Sequence, residues 1–261
     1  MSAASTFNFN RAIVRAPSHS VVNGLSSTGI RPDFSGLARE HALYVKALEA
    51  AGLALEILQP LEDYPDAVFV EDAALVFSNV AVVLRPGAKS RAGEAAEILN
   101  AVTRRFDRVS QLPEGTVDGG DVLVTPQGVF IGRSERTNPL GASALTRSLA
   151  ELGLRGLPVT TPQGVLHLKS DCSLLDEETI LSTARLAASG VFDGFRVIIV
   201  PSEEGGAANA VRVNKHVLLN DAYPHTADLL AAAGYDVKVL PLQEVAKLDA
   251  GLSCMSLRWQ A

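Results

Sequence analysis

A strand–strand–helix–strand pattern returns along this chain about every 40–55 residues, roughly five times, and a repeat of that kind limits the folds open to it. Four runs read as paired strands with a turn between them. Residues 122–132, "VLVTPQGVFIG", flank a Pro126-Gln127-Gly128 turn, and residues 74–84, "ALVFSNVAVVL", turn at Ser78-Asn79. Residues 172–182 carry acidic turn residues, and residues 211–219 turn at Asn214-Lys215. Residues 7–15, "FNFNRAIVR", read as a fifth and less regular pair. Helical periodicity follows each pair, at residues 35–51, 91–105, 141–152, 185–188 and 226–233. In the first of these Leu37, Tyr44, Leu48 and Ala51 fall on one side. Extended, partly apolar runs come next at residues 53–58, 165–168, 197–200 and 237–240. A unit of this size buries its apolar face against its neighbours, and closing the units into a ring removes open sheet edges. An α/β sandwich with alternating elements satisfies the same pattern. No linker rich in Gly, Ser or Pro interrupts the chain, so residues 1–261 are expected to form a single domain.

The totals narrow the function classes. At 261 residues the chain can bury a large core without disulfides or a structural metal. A net charge of -6, with no basic cluster, argues against a nucleic-acid surface. No apolar run reaches the roughly 20 residues of a membrane span. The first ten residues lack a basic segment followed by an apolar one, so no signal peptide is expected and the cytoplasm is the expected location. The two cysteines, Cys172 and Cys254, match neither a disulfide framework nor a metal-ligand spacing.

Polar constellations break the apolar pattern, and each has an ordinary reading beside a functional one. Asp66, Glu71 and Asp72 flank an apolar run; as a strand, it would put Asp66 and Asp72 on one face with Glu71 opposite. Carboxylates so placed suit a planar cation with many N–H donors, while the ordinary reading is a solvated strand end. Asp118-Gly119-Gly120-Asp121 pairs glycines between acids, which allows a sharp turn or close backbone approach, or merely caps a strand. It lacks the terminal Glu of a calcium loop. His167 ends an apolar run and is either a general acid/base or a hydrogen-bonded structural histidine. Cys254 sits among Gly and Ser in "GLSCMS", a loop-like setting that favours a reactive thiol; Cys172 lies in a strand-like run and suits an inert one. A thiol, an imidazole and an orienting acid are what nucleophilic attack on a carbon bearing a leaving group requires.

The segments "FVED", "RPGAKSRAGE", "TVDGGDVL", "RTN", "HLKS" and "LSCMSL" occur here in the order found in dimethylarginine dimethylaminohydrolases, from about residue 15 to residue 257. Each segment is weak alone, and the ordered set is specific. The resemblance implies an α/β fold, the five-bladed pseudo-symmetric α/β propeller of ββαβ units known as the pentein fold. It implies that Cys254 is the nucleophile, His167 the general acid/base and Asp118 the acid that holds His167. Asp66, Glu71 and Asp72 would line a guanidinium pocket, Arg91 and Arg136 would grip the substrate α-carboxylate, and Leu25 would belong to a lid. The polar, Gly-containing stretch 18–27 around Leu25 suits a mobile flap. The implied reaction converts N-methylated arginine to citrulline and a methylamine through a covalent adduct on Cys254, with no metal and no organic cofactor. The implied partner is a small guanidine, with the enzyme a monomer or a homodimer.

Two other readings stay open on sequence. Arginine deiminases and amidinotransferases usually carry His-x-Asp where this chain has His167-Leu168-Lys169. Losing that carboxylate lessens the demand for N–H donors on the second guanidinium nitrogen, which favours a methylated one. A non-enzymatic relative could also keep the fold as a binding module, but this chain retains the whole Cys, His and acid set.

Overall fold

The structure is a computed structural model and describes residues 6–261. The chain begins with β1 (Arg11–Arg15), α1 (Phe34–Ala50) and β2 (Ala54–Leu58). A second unit holds β3 (Ala74–Val76), β4 (Val80–Val83), α2 (Glu94–Thr103) and β5 (Arg108–Gln111). A third holds β6 (Val122–Thr125), β7 (Gly128–Arg133), α3 (Pro139–Glu151) and β8 (Gly156–Thr160). A fourth holds β9 (Cys172–Leu174), β10 (Thr179–Ser182), the short α4 (Ala184–Ala187) and β11 (Arg196–Ile199). The fifth holds β12 (Val211–Val213), β13 (His216–Asn220), α5 (Pro224–Ala232) and β14 (Asp236–Leu240), after which come α6 (Gln243–Ala246) and β15 (Leu257–Trp259).

These strands form five three-stranded sheets. In each the middle strand runs antiparallel to one neighbour and parallel to the other, which it reaches through the helix. The first sheet is built from both ends of the chain. β1 pairs antiparallel with β15, in the register Arg11 to Trp259 and Ile13 to Leu257, and parallel with β2. The fold is thus the five-unit pseudo-symmetric α/β propeller, and the ring closes by pairing its two ends.

Three sequence expectations need correction. Residues 7–15 do not form a hairpin: only Arg11–Arg15 is a strand, and its antiparallel partner is β15, over 240 residues away. Residues 165–168 are not a strand either; the third strand of that unit is Gly156–Thr160, and Leu168 opens a one-turn helix. Nor do residues 66–72 run as a strand, because Val70–Ala73 forms a one-turn 3-10 helix that buries Glu71 and Asp72.

The helices start where local chemistry directs. The Asp33 carboxylate accepts from Gly36 N at 2.6 Å to cap α1, and Asn138 Oδ1 accepts from Gly141 N at 2.7 Å to cap α3, whose first residue is Pro139. Leu37, Tyr44 and Leu48 of α1 are buried as their spacing predicts. Every residue of β4 is buried, whereas β5 shows solvent on most of its length. The first strands of the sheets face a central channel of about 170 Å³, with Leu75, Val122, Leu174, Val211 and Leu257 on its wall. No described helix is long and apolar enough to cross a membrane.

This topology gathers loops at one end of the ring. Second and third strands are parallel, so each second strand's exit into its helix lies at the same end as the third strand's exit toward the next unit. Leu25, Arg91 and Arg136 lie on exits of the first kind, and Asp66, Asp72, Asp118, His167 and Cys254 on exits of the second kind.

Candidate active site

At that end a cavity of about 40 Å³ is lined by Cys254, His167, Asp66, Asp72, Arg91, Arg136 and Leu25, seven of the nine residues singled out in the sequence. The other two stand directly behind it. Asp118 is wholly buried, and its Oδ2 lies 2.9 Å from His167 Nε2, while its Oδ1 accepts from Gly87 N at 2.6 Å. Glu71 borders the central channel rather than the small cavity. Its carboxylate meets Lys169 Nζ at 2.7 Å and accepts from Ser253 Oγ at 2.9 Å. Because Asp72 and Cys254 face the cavity while their neighbours Glu71 and Ser253 face the channel, these two residue pairs partition one space from the other.

The paired glycines explain how the acids and the histidine come together. A Cβ on Gly119 would stand 1.9 Å from the Glu71 carbonyl oxygen, and one on Gly120 would stand 2.9 Å from the His167 ring. Gly120 N also donates to Asp72 Oδ1 at 2.8 Å. The "VED" and "DGG" turns therefore stack backbone on backbone at Gly119, and the His167 ring packs on the backbone of Gly120.

Arg91 is the scaffold of this stack. Its guanidinium pairs with Asp72, meets Glu94 through Nε at 2.9 Å and through Nη2 at 2.7 Å, and donates to the Phe69 carbonyl at 2.8 Å. It is buried and largely committed to these partners. Arg136 is different: it is only partly buried, and among the described residues its side chain has no ion pair.

The charges set the protonation states. Burial favours a neutral Asp72, but Arg91, the His167 ring and the Gly120 N–H outweigh it and hold the carboxyl at about 2. Burial likewise opposes a charged His167, yet Asp72, the hydrogen bond to Asp118 and the charge of Asp121 together raise it to about 9, so the ring is an imidazolium at neutral pH. Burial, with Glu71 and Asp72 nearby, pushes the Cys254 thiol up to about 12. Cys254 thus rests as a thiol. Cys172, buried in β9, is pushed up further by its burial and is the inert cysteine the sequence suggested. The donor atoms of Asp72, Asp118 and His167 lie within 4.8 Å of one another, with Asp118 hydrogen-bonded to His167 and Asp72 paired with Arg91.

The stretch around Leu25 is tied down by hydrogen bonds at both ends. Leu25 N donates to Asp66 Oδ1 at 2.9 Å, and Ser27 binds Asp249 through its backbone N at 2.5 Å and its hydroxyl at 2.7 Å. Sequence reasoning missed Leu248, Asp249 and Ala250, which also line the cavity. Asp249 has a positive φ of 54° without being glycine, a conformation that no local pattern announces. It missed Asn209 too, whose Oδ1 accepts from Ser253 N at 3.1 Å and steadies the Cys254 turn from the loop between β11 and β12.

No protein-family model matches the chain. It is 37% identical over 255 residues to an N(G),N(G)-dimethylarginine dimethylaminohydrolase of Pseudomonas aeruginosa, covering 96% of this chain and all of that one. It is 38% identical over 252 residues to the protein of the same name from Streptomyces coelicolor, covering 95% and 96% of the two chains. Among solved structures, the Pseudomonas aeruginosa protein, as a cysteine-to-serine mutant complexed with citrulline, superposes with a TM-score of 0.93 over 97% of this chain and all of that one.

Proposed function

This chain belongs to the dimethylarginine dimethylaminohydrolase family, and we propose that it hydrolyses N-ω-methylated arginine to citrulline and dimethylamine or methylamine. The observation that carries the reading is the cavity itself: a thiol, an imidazolium held by a carboxylate, and two further buried carboxylates meet in one space with Arg136 beside them. Loops of the first, second, third and fifth units line the cavity, and the loop leaving the fourth holds the Cys254 turn through Asn209, so on this reading the whole chain works as one catalytic domain.

The guanidinium would lie against Asp66 and Asp72, with the Glu71 carboxylate behind. Arg136 would take the larger part of the α-carboxylate, since Arg91 is mostly engaged with Asp72 and Glu94. Leu25 and its flap close over the bound molecule. The substrate's positive charge offsets the carboxylates that raise the thiol, and Cys254 ionises as the substrate binds, releasing its proton to solvent because His167 already carries one. The thiolate sulfur forms a bond to the guanidinium carbon. The carbon–nitrogen bond to the methylated nitrogen breaks, and His167 delivers the proton that lets it leave as a neutral amine. A thiouronium-type adduct remains on Cys254. Water, giving a proton to His167, adds to that carbon, and the sulfur departs to leave the urea of citrulline. Lys169 supports a methylated leaving group: it pairs with Glu71 and places no carboxylate against the departing nitrogen. On this reading the enzyme works in the cytoplasm without a metal or organic cofactor, as a monomer or homodimer.

The test is citrulline release from asymmetric dimethylarginine, monomethylarginine and arginine in parallel, with Cys254→Ser as control. Turnover of the methylated substrates that is lost in the serine variant is expected. Turnover of arginine alone would overturn the substrate, and substantial turnover by Cys254→Ser would overturn the mechanism.

A further inference from the structure

Asp121 is wholly buried beneath the cavity and takes no part in the chemistry above. Its carboxylate joins separate segments. Oδ1 accepts from the backbone N of Leu168, the residue after His167, at 2.9 Å. Oδ2 accepts from the hydroxyls of Thr137 and Ser134, each at 2.6 Å. Both hydroxyls pass the connection on. Thr137 Oγ1 accepts from Asp118 N at 3.2 Å, and Ser134 Oγ accepts from Arg136 N at 3.0 Å. One carboxylate therefore stands one hydrogen bond from the His167 segment and two from Asp118 and Arg136. Among the described residues it has no ion pair of its own; burial raises its carboxyl above the ordinary value, while the nearby His167 charge and the three donors favour the carboxylate.

We propose that Asp121 is a positioning residue that, through Leu168, Thr137 and Ser134, fixes His167, Asp118 and Arg136 relative to one another. The Thr137 arm governs the acid/base pair and the Ser134 arm governs the arginine. The negative charge of Asp121 also joins those of Asp72 and Asp118 in favouring the imidazolium form of His167. Across the cavity the ring shares its surroundings with Cys254, Asp66, Arg91 and Arg136. The ionisable groups on the elements packed around it have partners elsewhere: Lys169 with Glu71, Asp171 with Arg185, Arg133 with Thr160, and Glu204 with Thr226. This role rests on the reading of His167 and Arg136 given above.

The experiment compares Asp121→Asn, Thr137→Val, Thr137→Ser and Ser134→Ala with the wild type. The first readout is the His167 titration by NMR, with the signal assigned among the 5 histidines by its loss in His167→Gln. Asp121→Asn is expected to lower the His167 pKa by about half a unit to one unit, because one of three nearby negative charges is gone. The second readout is kinetic. Thr137→Val is expected to lower kcat about tenfold with KM nearly held, with Thr137→Ser restoring it, and Ser134→Ala to raise KM several-fold with kcat nearly held. An unshifted His167 in a folded Asp121→Asn protein would overturn the proposal, as would equal loss of kcat and KM effects in all variants alongside a lower Tm. Should Asp121→Asn fail to fold, the split between Thr137→Val and Ser134→Ala decides. The titration needs no substrate, so a wild-type protein that turns over no guanidine would refute the functional reading and leave this test standing.

Discussion

Replacing Glu71 by Gln should make Cys254 more reactive toward a neutral alkylating agent, although Glu71 does not border the small cavity. Ser253 Oγ lies 2.9 Å from Glu71 Oε2 and 3.9 Å from Cys254 Sγ, so carboxylate and sulfur are within about 7 Å of each other. At that distance, and at an effective dielectric constant near 20, a unit charge acts on another with about 2 kcal/mol, or between one and two pKa units. Burial and this charge are the foremost reasons the thiol stands at about 12. Removing the charge, and freeing Lys169 from its partner, would raise the thiolate fraction near neutral pH by about 50-fold. A less basic thiolate is also a weaker nucleophile, which takes back about a factor of five. Glu71→Gln should therefore react with iodoacetamide about tenfold faster than wild type at pH 7.5, while turnover falls because a negative charge behind the guanidinium is lost. Mass spectrometry after timed exposure reads the rate at Cys254, and Cys172, buried in β9, serves as the internal unreactive thiol. A rate equal to or below that of the wild type would refute the claim that neighbouring carboxylates hold the thiol protonated.

Stability should carry a signature of His167. Its folded pKa of about 9 lies above the ordinary 6.5, so its contribution is fully present below about pH 6.5 and is lost as pH rises through 9. The loss amounts to about 3 kcal/mol. Urea midpoints at pH 6 and pH 10 should differ more for the wild type than for His167→Gln, and parallel shifts in the two proteins would refute the assignment. A methyl group on Gly120 would press on the His167 ring and on Asp72 Oδ1, 3.0 Å away. Gly120→Ala should fold, lose about tenfold or more in kcat, and lower the His167 pKa; wild-type activity would show that the stack tolerates displacement. Gly119→Ala, aimed at a carbonyl oxygen 1.9 Å away, should fail to fold or unfold far more easily, which a thermal melt decides.

What the sequence made legible follows from where each element lies. The middle strands and long helices announce themselves because they pack one or both faces into the core, as β4 and α1 do. The outer strands β5, "RVSQ", and β8, "GLPVT", give no such signal, since they are exposed edges and β8 contains a proline. Closure of the first sheet was invisible for another reason: "LRW" is too short to read as a strand, and its pairing with β1 spans almost the whole chain. Val165 and Leu168 misled because buried apolar side chains occur in loops that plug a ring as well as in strands. Among the site residues, the acids at 66, 71 and 72 were found as a cluster but placed on the wrong backbone. A run of alternating apolar residues cannot reveal that Arg91, 19 residues beyond Asp72, folds back to bury them.

The cavity contains an apparent contradiction, and its resolution explains why the cluster is built this way. Carboxylates that attract a guanidinium also suppress ionisation of the thiol that must attack it. Burial, Glu71 and Asp72 hold Cys254 as a thiol, and a neutral electrophile meets little thiolate. A bound cation reverses the balance, because the charge that the carboxylates were disposed to accept now neutralises them at the sulfur. On the proposed mechanism, activation of Cys254 then depends on the substrate's own charge, so a neutral ureido group, as in citrulline, would gain no such activation. His167 shares Asp72 with this exchange, but its hydrogen bond to Asp118 and the charge of Asp121 lie behind the cavity and favour the imidazolium beside any bound cation, so on the proposed mechanism the proton for the leaving amine is in place before the thiolate forms. The order of events, binding before ionisation and a ready acid before attack, follows from which charges each group faces.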